Sequence, residues 1–169
     1  MTWQPDATIR PHPFGEMGVR SSLEEVAQRA AGRAAGLLSS PADLAKIRTW
    51  AIEKLDDARK AGRSVNTPRD RVDVLLKAVQ QKLWVPDPIG IEYIPGAHHL
   101  ACDDHKDGAV CIKGDDCDGL VVLLAACLLA VGVYVMVVGH AYNNQQLISH
   151  VLVKAYFDGK WHYADPSPL

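Results

Sequence analysis

Nineteen consecutive residues, Leu120–Val138, carry no charge, and their burial constrains what this chain can fold into. A run of that length could in principle cross a bilayer. Its internal structure argues otherwise. Gly132 divides it into a Leu/Ala-rich half, Leu120–Val131, and a β-branched half, Val133–Val138. Asp115, Asp116 and Asp118 crowd its start, and neither end has the Lys/Arg flank that orients membrane helices. The pattern predicts a buried helix, a glycine stop and a buried strand, with no membrane partner. A chain of 169 residues is right for one domain around such a core. Its 48% hydrophobic and 22% charged residues have the balance of a globular protein rather than a disordered one. Lys and Arg number 18 against 20 Asp and Glu, which provides no basic face for nucleic acid. The first dozen residues include Asp6, Arg10 and His12 and no apolar stretch, so no secretory signal is visible and a cytoplasmic location is expected. Four cysteines are too few for a disulfide-built scaffold.

Three stretches of helical spacing precede the apolar run. Ser21 or Ser22 can cap a helix carrying Leu23, Val26, Ala27, Ala30, Ala34 and Leu37, with Glu24 and Glu25 in its first turn. Ser40-Pro41 opens a second, with Leu44, Ile47, Ala51, Leu55 and Ala58 on one stripe and Gly62 at its end. Thr67-Pro68 opens a third, with Val72, Leu75, Leu76, Val79 and Leu83 facing inward and Pro86 and Pro88 stopping it. Residues 85–116 mix Pro, Gly, His and Asp without periodicity and read as an ordered, irregular loop. Strands are expected over 133–138, 148–157 and 160–165. The order helices, loop, helix, sheet is α+β, not the alternation of a parallel fold. The expected organisation is one domain: an irregular segment over 1–20, a helical part over 21–84 and a core over 85–169.

Cys117 stands in Gly114-Asp115-Asp116-Cys117-Asp118-Gly119, directly before the apolar helix. A thiol in a helix's first turn meets the positive end of the macrodipole and its unpaired amides, which favour a thiolate and can hold an oxyanion. The adjacent aspartates oppose the thiolate unless they point outward or cap the helix. Cys127, inside the apolar helix, reads instead as a small buried hydrophobe.

A thiol nucleophile needs a base, and there are seven histidines. Asp158-Gly159 between two alternating runs is a strong signal for a two-residue type I′ hairpin turn. That turn pairs Phe157 with Lys160 and Tyr156 with Trp161, and sets Leu152 opposite Asp165. Residues two apart on a strand share a face, so His150 and Asp165 become diagonal neighbours while His162 projects to the other side. The spacing selects His150 as base and Asp165 as the group that orients it. The plain alternative is a sheet histidine with its hydrogen bonds satisfied, beside a turn aspartate before Pro166.

The stretch Gly114–Ala126, then Gly132-Val133, His150-Val151 and Trp161 with Ala164-Asp165-Pro166 resembles the core of the transglutaminase-like superfamily. That resemblance covers about residues 114–167. It implies a papain-like α+β fold and a catalytic triad of Cys117, His150 and Asp165, in agreement with the hairpin argument. The segment from Val85-Pro86-Asp87-Pro88 through Glu92 and Pro95 is similar to members from bacteria and their phages, which implies a phage or prophage origin. Members often read Gly-Asp-Cys-Asp-Asp, whereas here two aspartates precede Cys117 and Gly119 follows Asp118. Leu152 stands where an aromatic residue commonly follows His-Val. Asp118 occupies the position at which protein-crosslinking members usually carry Trp, which favours hydrolysis of an amide over transfer to an amine.

The segment Ala97–Cys111 holds His98, His99, Cys102, Asp103, Asp104, His105, Asp107 and Cys111. Its spacings match no standard zinc finger, and as a calcium loop it has His105 at the third ligand position and Gly114 at the twelfth. A Cys102–Cys111 disulfide is a further alternative. The leading expectation is a solvated rim to an active-site cleft, with no metal. The sequence thus points to a thiol enzyme acting on an amide or peptide bond of a protein or peptide substrate, with no cofactor. The Cys117 amide is one oxyanion donor, and Trp84 or a residue of 93–105 is the candidate second. The rival is a non-catalytic scaffold or virion-assembly module of the same fold.

Overall fold

The computed structural model describes residues 10–12, 15–19, 23–36, 39–87, 91–103, 111–140 and 150–167. Their order is β1 (Arg10–His12), β2 (Gly15–Val19), α1 (Leu23–Ala34), α2 (Pro41–Lys60), α3 (Pro68–Gln80), β3 (Leu83–Trp84), β4 (Ile91–Pro95), α4 (Ala97–Leu100), β5 (Gly114–Asp115), α5 (Cys117–Ala130), β6 (Tyr134–His140), β7 (His150–Phe157) and β8 (Lys160–Ala164). The fold is α+β. An antiparallel sheet in the order β6-β7-β8 covers α5, and a second antiparallel sheet runs β1-β2-β4. β3 and β5 form a short parallel pair.

α5 is the centre of the molecule. It packs against α1, α2, α3, α4, β6 and β7, and Leu120 through Leu128 are buried without interruption. A helix buried on every side must be apolar all round, which is why its sequence shows no amphipathic stripe. Among the described residues no helix is long and apolar enough to span a membrane. The expected glycine stop is a Schellman motif: Gly132 has φ 79°, and Val133 N–H and Gly132 N–H bond to Leu128 O and Leu129 O.

Local signals fixed the surrounding helices. Ser40 and Thr67 each form a capping box, with Asp43 and Asp70 at the third helical position and Pro at the first. Gly62, at φ 77°, ends α2 in the same way as Gly132 ends α5. Two core assignments change. Leu44 is exposed while Trp50, off the expected stripe, is buried. Leu83 does not face inward from α3; the helix ends at Gln80 and Leu83 lies exposed in β3. The proposed caps Ser21 and Ser22, Leu37 and residues 148–149 lie outside the described residues.

Two irregular segments prove to be ordered differently from expectation. Within 1–20, residues 10–12 and 15–19 are strands rather than irregular chain. β2 pairs with β4 in the register Met17↔Tyr93, so its order comes from a partner far along the sequence. Within 85–116, β4, α4 and β5 replace an irregular loop. Cys102 and Cys111 are joined in a disulfide, the further alternative for this stretch. Asp103 anchors it to α2, accepting from Trp50 Nε1 at 3.1 Å and pairing with Lys54. His98 and His99 belong to α4, and His98 Nε2 lies 3.5 Å from Asp43 Oδ1. Asp104, His105 and Asp107 are outside the described residues.

Candidate active site

The hairpin sets the site's geometry. Asp158 and Gly159 have φ 51° and 76°, as a type I′ turn requires. The register that follows pairs Phe157 with Lys160, Tyr156 with Trp161 and Val153 with Ala164. One step further sets Asp165 opposite Leu152, beside His150. His150 Nε2 and Asp165 Oδ2 are 2.8 Å apart. The other carboxylate oxygen, Oδ1, accepts from Ser167 N–H at 3.0 Å, an Asx turn across Pro166. Gln80 Nε2 donates to the Asp165 carbonyl at 2.9 Å. The carboxylate is therefore held on both oxygens and its backbone is tied to α3. His162 lies on the opposite face, its ring stacked on Phe157 at 3.8 Å.

His150 opens β7, the strand that pairs with β6 and packs on α5. α5 rises about 21 Å over 14 residues, and β6 covers about 23 Å over 7. The short turn through Gly132 leads from α5 into β6, which packs on that helix. β7 is antiparallel to β6 and begins opposite its last residue, in the register His140↔His150. Cys117 opens α5, half-buried, and β7 packs on that helix through its buried residues Val151, Val153 and Ala155, with which His150, the first residue of the strand, alternates.

The acidic turn around Cys117 is built differently from the expectation that its aspartates point outward or cap. Asp116 is the N-cap and accepts from Asp118 N–H at 3.4 Å. Asp115 and Asp118 are instead buried, at 4% and 1% exposure. Asp118 Oδ1 accepts from Gly119 N–H at 2.5 Å. Two glycines permit this arrangement. A Cβ on Gly119 would lie 1.8 Å from Asp115 Oδ2, and one on Gly114 would lie 1.9 Å from Leu83 O. The Asp115 carboxylate thus fills the notch that Gly119 leaves in the helix, and Gly114 lies flush against β3. One oxygen each of Asp115, Asp116 and Asp118 fall within 4.8 Å of one another. That is an all-oxygen set of the kind hard cations take, although here Asp116 serves as cap and Asp115 as packing group.

Two further residues flank the turn. Trp84 pairs in parallel with Asp115 and is partly exposed. Tyr93, on β4, has its phenol pKa pushed up to about 12, first by burial and then by the charge of Asp115, so it remains a protonated donor at neutral pH. Its backbone N–H donates to Asp87 Oδ2 at 2.5 Å. Cys127 has the opposite character to Cys117: it is fully buried, and desolvation pushes its thiol far above the ordinary range.

Sequence spacing selected Cys117, His150 and Asp165. It missed Gln80, which is remote in sequence from Asp165 and carries no local signal. It also missed the packing roles of Gly114 and Gly119. The Ser167 amide was legible in principle, because Asp-Pro-Ser favours an Asx turn.

No family model matches the chain, and no curated protein does. Among solved structures it is similar to the crystal structure of a "putative protease" from Parabacteroides distasonis, with a TM-score of 0.57 and 17% identity over 85% of this chain. The match spans 27% of that protein's length. At that identity the likeness is one of fold: this chain shares its α+β architecture with part of a larger protein described as a protease.

Proposed function

We propose that this protein is a cysteine-dependent enzyme of transglutaminase-like type that hydrolyses an amide or peptide bond in a protein or peptide. The observation that carries this reading is the 2.8 Å His150–Asp165 hydrogen bond, which begins on a strand packed against the Cys117 helix. With Nε2 committed to Asp165, the neutral imidazole is a base at Nδ1. In the proposed reaction Nδ1 takes the Cys117 proton and the thiolate attacks the carbonyl carbon. The tetrahedral oxyanion is held by the Cys117 amide and a second donor from the flank formed by Trp84 and Tyr93. The imidazolium protonates the departing amine, leaving a thioester. Water, deprotonated by the same imidazole, then releases the acid and the thiol. Asp165 fixes the tautomer and stabilises the imidazolium, and no cofactor takes part. Water is favoured over an amine as acceptor because Asp118, not an aromatic residue, follows the nucleophile.

The test is turnover of a panel of peptides and glutamine amides. Cys117→Ser and His150→Ala should lose turnover, whereas His162→Ala, altered on the other face, should retain it. Asp165→Asn should fold normally and turn over more slowly, by several orders of magnitude if tautomer control is lost. Adding a primary amine should not divert the acyl group from water. Full turnover by Cys117→Ser would end the thiol mechanism, and an inactive wild type across the panel would favour a scaffold.

A further inference from the structure

Away from Cys117, a cavity of about 340 Å³ opens between α2, the end of α3 and the Cys102–Cys111 disulfide. Its volume is that of a small-molecule site. Lys54, Lys82 and Lys113 line it, together with Asp103 and both cysteines of the Cys102–Cys111 disulfide. Its charge is unbalanced: among the described lining residues three ammonium groups face one carboxylate. The site is also built rather than incidental. Lys82 has only 9% side-chain exposure and lies 3.8 Å from Asp103, donates to Cys102 O, and is stacked at 5.3 Å over Trp50. Lys54 sits over the same ring at the same distance. Burial draws the Lys82 pKa down, with Asp103 opposing that shift. The disulfide is not sealed in the core; both its residues are half-buried and belong to the cavity wall.

We infer that this cavity is a docking site for small thiols that carry carboxylates, and that its Cys102–Cys111 disulfide is their exchange partner. The lysines supply what each step needs: they bind the carboxylates, and they stabilise the thiolate that leaves a cysteine. The thiolate of the docked molecule attacks one cystine sulfur and the S–S bond breaks. A mixed disulfide forms on that cysteine, and the other departs as a thiolate and takes a proton. A second thiolate attacks the mixed disulfide, freeing the remaining cysteine and releasing the small-molecule disulfide. Two thiols are oxidised and the protein disulfide is reduced, with two electrons transferred. This chemistry is independent of the amide reaction proposed for Cys117.

The experiment follows the loss of the Cys102–Cys111 bond in the full chain by quenched alkylation and peptide mass analysis. The probes are glutathione, its diethyl ester and cysteamine, compared at matched thiolate concentration. Glutathione should react about tenfold faster than its ester, and cysteamine more slowly still, because a cleft with an excess of positive charge concentrates anions. High salt should erase the difference. Lys113→Gln, at an exposed position, should cut the preference for glutathione over its ester severalfold. Equal rates for glutathione and its ester in the unaltered protein would overturn the inference, and that comparison requires no variant to fold. Binding of glutathione without exchange would overturn it as well.

Discussion

Gly119 is where the acidic turn and the apolar helix are fitted together, and a single methyl group tests the fit. Gly119→Ala would place a Cβ 1.8 Å from Asp115 Oδ2, an overpacking expected to cost about 1–3 kcal/mol. Asp115→Ala in the same chain should recover part of that loss, a coupling that urea unfolding of the single and double variants measures. Strict additivity would show that the carboxylate does not fill the notch. Gly114→Ala has no comparable remedy, since the obstruction is the Leu83 backbone. The two cysteines should part company under iodoacetamide. Cys127, buried and with its pKa raised by desolvation, should remain unlabelled until the protein unfolds, whereas Cys117 should label in the native state. Similar labelling rates would contradict the contrast. Cys127→Ser buries a hydroxyl and should cost on the order of 1–3 kcal/mol if unpaired, with activity retained. At this scale the sequence made the His150–Asp165 pairing legible and the packing illegible. The imidazole and its carboxylate could be paired from the turn and strand parity, but nothing local announces that Asp115 folds under a helix.

Helix caps and the hairpin turn are the elements whose worth can be measured one at a time. Ser40→Ala and Thr67→Ala each remove a capping box and should cost about 1 kcal/mol. Asp70 adds a pH signature. The side-chain hydrogen bond from Ser64 and those from Thr67 hold its carboxyl below the ordinary 3.8. The fold therefore favours the ionised form, and the resulting stabilisation is complete above 3.8 and lost as pH falls through the lowered folded-state value. Ser64→Ala should shrink the stability gap between neutral and acidic solution in paired urea titrations. An unchanged gap would assign the acid sensitivity elsewhere. The same elements show why parts of the fold were readable. α2, α3 and the β7–β8 hairpin carry their boundaries in adjacent residues: Ser-Pro, Thr-Pro and Asp-Gly. β2, β4 and β5 are defined by distant partners, as in Met17↔Tyr93 and Trp84↔Asp115, and short strands without alternation give no local notice of them. Trp50 was missed on α2 because Lys54, Lys82 and Asp103 make its place, and only Lys54 is near it in sequence.

For the molecule as a whole, the Cys102–Cys111 bond joins residues at a sequence separation of 9, ahead of β5 and α5. Loop-closure entropy alone gives such a crosslink about 2–3 kcal/mol. Reduction by a neutral phosphine should lower the urea midpoint accordingly, and an unmoved midpoint would show that the loop is held by Asp103 and its partners instead. The order of layers was legible because the longest apolar run names the centre, and its glycine names the return. What encloses α5 has a less obvious corollary. A helix apolar around its whole circumference has no preferred azimuth: rotation about its own axis exchanges one aliphatic side chain for another at little hydrophobic cost. The bearing of Cys117 must then be set from the ends, like a shaft located by its keys. At one end are the Asp116 cap and the Asp115 carboxylate seated at Gly119; at the other is the Gly132 stop. Substitutions among Leu123, Leu124 and Leu128 that preserve volume should leave the thiol's aim unchanged, while loss of either key should let it turn.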